Sequence, residues 1–258
     1  TAVLVFSSSA LHMGHAIVLM AKWTPEEMLR LIDKYRVTHS HMVPTQFHRL
    51  LKLPEEVRKR YDVSSLRARI HAAAPCPIET KWKMLEWWGD AVYEYYAATE
   101  GGGTLVTPQE WRKYPGTVGR PWPNSDIKIY DDSGRELGRN QVGTVYMLLG
   151  QANFEYKDAA QKTRDNRIGN YFTVGDVGEL NDDGYLFLRD RKTDMIISGG
   201  ANIYPAEIEA ELIQHPKIAD AAVIGVPHPA LGEEVKAVIE LAEGAELSDD
   251  DVRRWVGD

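Results

Sequence analysis

The stretch Thr24–Val43, TPEEMLRLIDKYRVTHSHMV, contains the first clear helix-to-strand transition of the chain. Thr24 and Glu27 have the spacing of a capping box, and Pro25 suits the first helical position. Apolar side chains then recur at helical spacing, so the sequence predicts a helix over residues 24–35. The β-branched and apolar residues that follow predict a strand over residues 37–43.

The same alternation of helix and strand continues on both sides of this stretch. An apolar run predicts a strand over Ala2–Phe6, and the patterns farther along predict a helix over Gln46–Leu53, a strand over Arg69–Ala73, a helix over Ile78–Trp88 and a strand over Ala91–Tyr96. Residues 1–112 therefore belong to the α/β class, as part of a layered domain with a largely parallel sheet. Such sheets bind ligands at the carboxyl ends of their strands.

The pattern changes after residue 112. Over residues 113–190, short β-rich runs are separated by turn sequences such as Asp131–Gly134, which predicts a small β-barrel or sandwich. Residues 191–258 predict a small α+β domain with a helix over Pro205–His215, strands over Ala219–Val226 and Val235–Leu241, and a last helix from Ser248.

Composition restricts the classes of partner. The chain has 258 residues, 43% of them hydrophobic, and a net charge of −8 without a basic cluster, which argues against nucleic acid and anionic lipid as partners. No apolar run approaches the roughly 20 residues of a membrane span. The single cysteine suits a reducing compartment, so a cytoplasmic location is the expectation, and the composition is compatible with a homo-oligomer. The first residues carry no basic segment before an apolar run, and we expect the chain to begin within a fold.

The run Ser198-Gly199-Gly200-Ala201-Asn202-Ile203-Tyr204-Pro205-Ala206-Glu207-Ile208-Glu209 matches the signature S-G-G-x-N-I-Y-P-x-E-I-E at all ten specified positions. Pro205 suits the start of a helix, and the acidic residues complement its positive end. Glycines without a Cβ let a ligand pass close to the backbone, although a plain glycine turn is the alternative interpretation.

Two further runs carry groups suited to a nucleotide. Glu94-Tyr95-Tyr96-Ala97-Ala98-Thr99-Glu100 ends a predicted strand, and Tyr171-Phe172-Thr173-Val174-Gly175-Asp176-Val177-Gly178 places a carboxylate after a turn. An aromatic ring can stack on a base, a carboxylate can accept from two ribose hydroxyls, and a glutamate offers hard oxygens to Mg²⁺. The alternative is that the tyrosines are core residues and Glu100 is a solvated charge.

These runs resemble the fatty-acyl-CoA ligase branch of the adenylate-forming superfamily. The resemblance implies a two-step ligase that uses ATP, Mg²⁺ and coenzyme A. It assigns Thr99, Glu100 and Arg191 to catalysis and Glu100 to the metal. It assigns to the nucleotide and coenzyme A the residues Ala73, Ala74, Pro75, Tyr95, Tyr96, Thr99, Asp176, Arg191, Gly199 and Gly200. Ala97 stands where the family usually has glycine, and Thr193 stands at the hinge where Asp or Lys is common.

The resemblance leaves alternatives open. The family's lysine-ended phosphate loop and its C-terminal catalytic lysine have no counterpart in the 258 residues, so the chain alone is expected to be weakly active or inactive. An aryl-acid or amino-acid adenylating enzyme of the same superfamily is the nearest competitor. A catalytically incomplete nucleotide-binding fragment is the non-enzymatic alternative.

Overall fold

The computed structural model describes residues 2–150 and 154–257, which form two compact units. The first unit comprises the described residues of 1–126 and 148–154, and the second those of 127–147 and 155–258. The division of the chain into a large domain, made of residues 1–112 and a β-rich subdomain 113–190, and a small domain of residues 191–258 stays a prediction.

The first unit alternates helices with short strands. Its elements are α1 (Ala2–His12), α2 (Pro25–Tyr35), β1 (His39–Met42), α3 (Pro44–Leu51), α4 (Glu55–Arg58), β2 (Ala68–His71), α5 (Ile78–Trp88), β3 (Val92–Ala97), β4 (Gly103–Val106), α6 (Pro108–Lys113) and β5 (Arg120–Pro121). The strands form one sheet in the order β1-β2-β3-β4-β5. The pairs β1–β2 and β2–β3 are parallel, whereas β3–β4 and β4–β5 are antiparallel. The α/β class is confirmed, with a mixed rather than uniformly parallel sheet.

The start of the chain differs from the prediction. Residues 2–12 form helix α1, so the strand predicted over Ala2–Phe6 is wrong. A short apolar run has no periodicity that separates a strand from a buried helix, and here the helix continues through Ser7–His12. Helix α2 begins as predicted after Thr24, but the Thr24 side chain makes no capping hydrogen bond.

Helices α2, α3 and α5 form the core of the first unit. Fully buried side chains from these helices pack together, including Leu29, Phe47 and Met84, and Trp111 of α6 joins them. Burying a side chain of this size contributes about 1.5–3 kcal/mol relative to leaving it exposed. This packing supports the buried sides of β2 and β3.

The second unit contains two sheets. Its elements are β6 (Ser125–Tyr130), β7 (Gly143–Leu149), α7 (Ala160–Asp165), β8 (Arg167–Ile168), β9 (Tyr171–Phe172), β10 (Asp176–Leu180), β11 (Leu186–Arg191), β12 (Ile196–Ser198), β13 (Ala201–Ile203), α8 (Pro205–Leu212), β14 (Ile218–His228), β15 (Gly232–Leu241) and α9 (Asp249–Val256). Strands β6–β11 form an open six-stranded sheet, so the described residues contain no closed barrel. Strands β12–β15 form the other sheet, and Ser248 caps α9 with its hydroxyl.

Candidate functional site

Two neighbouring strand ends carry the candidate nucleotide residues of the first unit. Strands β2 and β3 are parallel, with His71 opposite Glu94, so both chains leave the sheet at the same edge. Residues 73–75, Ala73-Ala74-Pro75, follow β2 at this edge and are exposed. The family resemblance assigns them to a wall of the adenine pocket, here called the adenine wall. The structure therefore places this wall beside the Tyr95–Glu100 segment, where the rule for parallel strands predicts a ligand.

Thr99 and Glu100 lie in the tight connection between β3 and β4. The register of this hairpin pairs Tyr96 with Thr104 and Ala97 with Gly103. A Cβ at Gly103 would lie 2.3 Å from the Tyr96 carbonyl oxygen, so only glycine fits there. This close approach anchors the connection, which presents an exposed Thr99 and a half-buried Glu100.

Ala73 has an unusual backbone conformation. Its φ of +75° lies in the left-handed region, which costs a residue with a Cβ about 1–2 kcal/mol. Strained backbone of this kind often occurs at functional sites. Ala73 is therefore a strained residue within the predicted adenine wall.

The two tyrosines of the motif point to opposite faces of β3, because side chains alternate along a strand. The Tyr95 hydroxyl lies 3.1 Å from Nε2 of His41 on β1, and the Phe6 ring lies 4.6 Å from the His41 ring. Partial burial raises the pKa of Tyr95 and lowers that of His41. The sequence analysis did not identify this aromatic group, because Phe6, His41 and Tyr95 are far apart along the chain.

A buried charged group lies at the C-terminal part of β2 and β3. Nζ of Lys81, on α5, lies 2.5 Å from Oε2 of Glu94, and Nε2 of His71 lies 3.5 Å from the same oxygen. Lys81 and His71 are fully buried. Burial raises the pKa of Glu94 and lowers that of His71, and the positive charge of Lys81 opposes the first shift and reinforces the second. The sequence contains one indication of this group, because Lys81 is a charged residue at a core-facing position of the helix predicted over Ile78–Trp88.

Asp176 and Arg191 come together in the second unit. They are directly opposite each other on the antiparallel strands β10 and β11, with Nε of Arg191 3.7 Å from Oδ1 of Asp176. The Asp176 side chain is 13% exposed, whereas that of Arg191 is 69% exposed. A mostly buried carboxylate can accept from a diol, and an exposed guanidinium beside it can donate to phosphate oxygens.

Gly199 and Gly200 form the turn of the β12–β13 hairpin, on a separate sheet from Asp176. Their φ angles are +58° and +86°, and two-residue hairpin turns favour positive φ at both positions. Turn geometry accounts for both glycines without a ligand. A contact with coenzyme A therefore stays a prediction.

Comparison with known proteins matches two family patterns to the chain. The pattern of the AMP-binding enzyme family matches residues 1–153, and that of the AMP-binding enzyme C-terminal domain matches residues 207–258. The chain belongs to the AMP-binding enzyme family. The resemblance to adenylate-forming enzymes is confirmed.

Individual relatives cover nearly all of the chain. It is 33% identical to a long-chain-fatty-acid–CoA ligase of Bacillus subtilis, over 98% of the chain and 44% of that protein. It is 34% identical to 4-coumarate-CoA ligase 1 of Narcissus pseudonarcissus, over 95% of the chain and 46% of that protein. The amide bond synthetase McbA of Marinactinospora thermotolerans superposes with a TM-score of 0.85 at 32% identity, over 97% of the chain and 52% of that protein. The chain thus spans about half the length of these relatives.

No described helix combines the length and the apolar character that crossing a membrane requires.

Proposed function

We propose that the protein to which this chain belongs is an ATP-dependent acyl-CoA synthetase for an aliphatic carboxylic acid. The observation that carries the proposal is the parallel register of β2 and β3, which places Ala73–Pro75 and Tyr95–Glu100 at one sheet edge. Membership of the AMP-binding enzyme family supports the nucleotide. The similarity to a long-chain-fatty-acid–CoA ligase supports the aliphatic acid.

The proposed reaction has two steps. A carboxylate oxygen of the acid forms a bond to the α-phosphorus of ATP while the bond to pyrophosphate breaks. The thiol sulfur of coenzyme A then attacks the acyl carbon of the adenylate, AMP leaves with the bonding electrons, and the thiol proton is released. Fixed charges and donors aimed at the phosphate supply most of the stabilisation in such phosphoryl chemistry.

The residues of the first unit take defined roles in this proposal. Tyr96 stacks on the adenine beside Ala73–Pro75, and the Thr99 hydroxyl donates to the α-phosphate. Tyr95 lies on the other face of β3, and its contact with His41 helps to hold β3 in place beside the nucleotide. In the second unit, Asp176 accepts from the ribose hydroxyls and Arg191 reaches the phosphate.

Glu100 fits the requirements of Mg²⁺. The ion is commonly held by one or two carboxylates together with substrate phosphates and water. Glu100 is a half-buried residue in the connection after β3 and directly follows Thr99 in the sequence. When bound, Mg²⁺ neutralises charge on the phosphates.

A second candidate function is supported by the comparisons. A 4-coumarate-CoA ligase and an amide bond synthetase are as similar to the chain as the fatty-acid ligase. An aryl acid in place of the aliphatic acid, or an amine in place of coenzyme A, is therefore the alternative. An incomplete nucleotide-binding chain is the non-enzymatic alternative.

The test is the release of AMP by the full-length protein with a panel of aliphatic, aryl and amino acids, with and without coenzyme A. We expect AMP release that requires an aliphatic acid, coenzyme A and Mg²⁺.

A matched variant is Glu100→Gln, and Glu79→Gln on the exposed side of α5 is the control. We expect Glu100→Gln to raise the Mg²⁺ concentration needed for half-maximal rate, while Glu79→Gln leaves it unchanged. Release that needs an aryl or amino acid, or that is independent of coenzyme A, would reject the proposed substrate pair.

A further inference from the structure

An open cavity lies at the end of the first sheet opposite the candidate nucleotide edge. Its volume is about 540 Å³, within the range of small-molecule sites. Arg69, at the start of β2, and Ala91, just before β3, line this cavity. Helix α4 and the C-terminal turn of α5 contribute Arg58, Trp87 and Trp88. The cavity is therefore separate from the strand ends that carry Tyr96 and Thr99.

Arg69 is a buried cation without a counter-ion. The residue is 3% exposed, and its two terminal nitrogens donate to main-chain oxygens, at 2.5 Å to Trp88 and 3.3 Å to Val63. Its Nε has no hydrogen-bond partner, and its guanidinium lies over the Trp88 ring at 5.2 Å. Burial lowers the pKa of Arg69 to about 10, because no carboxylate offsets the loss of hydration. An uncompensated buried charge is costly, and an anion nearby reduces that cost.

Arg58 contributes a second cation to the same cavity. Its guanidinium stacks on the Trp87 ring at 5.4 Å, and its Nε also lacks a partner. Across the described ranges 2–150 and 154–257, neither Arg58 nor Arg69 forms an ion pair with a carboxylate. Lys59 is different, since it pairs with Glu55 at 2.5 Å.

The acidic residues of the cavity are held by other cations. Asp62 pairs with Arg36, and Asp90 pairs with Arg112 at 3.0 Å. Both carboxylates line the cavity, and their negative charge is offset by these two arginines. The apolar surface of Val63, Leu66 and Trp87 suits an uncharged body.

We propose that this cavity binds a small organic anion with one phosphate or carboxylate group, whose charged head faces Arg58 and Arg69. The uncharged part of the ligand lies along Trp87, Val63 and Leu66. This site is additional to the nucleotide and acyl sites of the proposed function. Because it is at the opposite end of β2 and β3, AMP does not compete for it.

The test is calorimetric titration of the 258-residue chain at low salt with phenyl phosphate and with benzoate, which present the two head groups on the same ring. We expect one of them to bind at one site per chain with a dissociation constant of about 1 mM or less, and the tighter one identifies the head group. Saturation with AMP leaves this binding unchanged. Arg58→Ala and Arg69→Met each weaken it about tenfold, as expected for loss of a charge-assisted contact. Arg49→Ala, which removes an exposed cation of α3, is the control and leaves it unchanged.

Three results would overturn the proposal: no binding of either probe at about 10 mM, equal binding by wild type and Arg58→Ala, or loss of binding on addition of AMP. Arg58 is partly exposed, so we expect Arg58→Ala to fold. This variant therefore tests the cavity proposal even if Arg69→Met does not fold. The AMP-release assay of the full-length protein is a separate readout. Failure of the cavity proposal leaves that assay unaffected.

Discussion

Asp176 shows how one residue can separate ligand binding from folding. Its side chain is mostly buried at the start of β10, and Arg191 opposite it is largely exposed. An exposed cation at 3.7 Å contributes little to stability, since such pairs are typically worth about 0–1 kcal/mol. A carboxylate has two oxygens with several acceptor positions, so it can accept from both hydroxyls of a ribose.

We predict that Asp176→Asn weakens AMP binding about tenfold or more, which corresponds to about 1.4 kcal/mol. The amide keeps the size of the side chain but removes its charge and one acceptor oxygen. The change in the free energy of unfolding without nucleotide should stay within about 1 kcal/mol. Calorimetric titration of AMP and thermal melts measure the two quantities.

Asp165→Asn is the matched control. It removes an exposed carboxylate at the end of α7 in the same unit, and we expect unchanged affinity for AMP. Equal affinities of wild type and Asp176→Asn would remove Asp176 from the site.

At the scale of elements, the β3–β4 hairpin determines where Thr99 and Glu100 lie. The connection is held by the contact between the backbone of Gly103 and the Tyr96 carbonyl, and the Gly103 amide also donates to the Ser125 hydroxyl at 3.2 Å. A Cβ at Gly103 would also lie 2.7 Å from Cη2 of Trp122. The main-chain oxygen of Tyr96 belongs to β3 and cannot move without shifting that strand.

We predict that Gly103→Ala destabilises the chain by about 1–3 kcal/mol, the usual range for overpacking. It should also weaken AMP binding, because the displaced hairpin carries the candidate phosphate and metal ligands. Denaturant unfolding and calorimetry measure both effects. In Gly138→Ala the nearest atom to the new Cβ is 3.7 Å away, and we expect a change within about 0.5 kcal/mol. Equal effects of the two substitutions would contradict the importance of the close approach.

For the molecule as a whole, His71 links stability to pH. It is fully buried, faces Glu94 and Lys81, and is influenced by His41, and its pKa is well below the usual value of 6.5 mainly because of burial. In the folded chain the imidazole is neutral, whereas in the unfolded chain it takes up a proton near pH 6.5. The stability that depends on neutral His71 is therefore present above pH 6.5 and is lost as the pH falls towards the folded pKa.

We predict that the free energy of unfolding decreases below pH 6.5, with His71 contributing up to about 1.4 kcal/mol per pH unit. His71→Leu should lack this contribution, while a smaller slope from His41 remains. His39→Gln removes an exposed histidine and should keep the wild-type slope. Urea denaturation at pH values from 5 to 8 gives the slopes, and equal slopes for His71→Leu and wild type would show that His71 is not the linked group.

The length of the chain carries a prediction about activity. The chain spans 44% of its fatty-acid ligase relative, and the resemblance to that family leads us to expect that a phosphate loop and a lysine-bearing segment of the full-length protein contribute to catalysis. We expect residues 1–258 alone to bind AMP but to release it from ATP at least about 100-fold more slowly than the full-length protein. Side-by-side assays at equal concentration measure this ratio, and equal rates would contradict the need for those segments.

Local sequence patterns determined the α/β class, the helices near residues 24–35 and 78–88, and the hairpins of the second unit, since side-chain periodicity and turn residues act over a few positions. They failed at residues 2–12, where an apolar run suits either a strand or a helix. Tertiary structure decided which distant residues meet. Glu94 contacts Lys81 and His71, Asp176 faces Arg191, and Arg69 is buried without a counter-ion, because strand register and packing join residues whose separation along the chain gives no such signal.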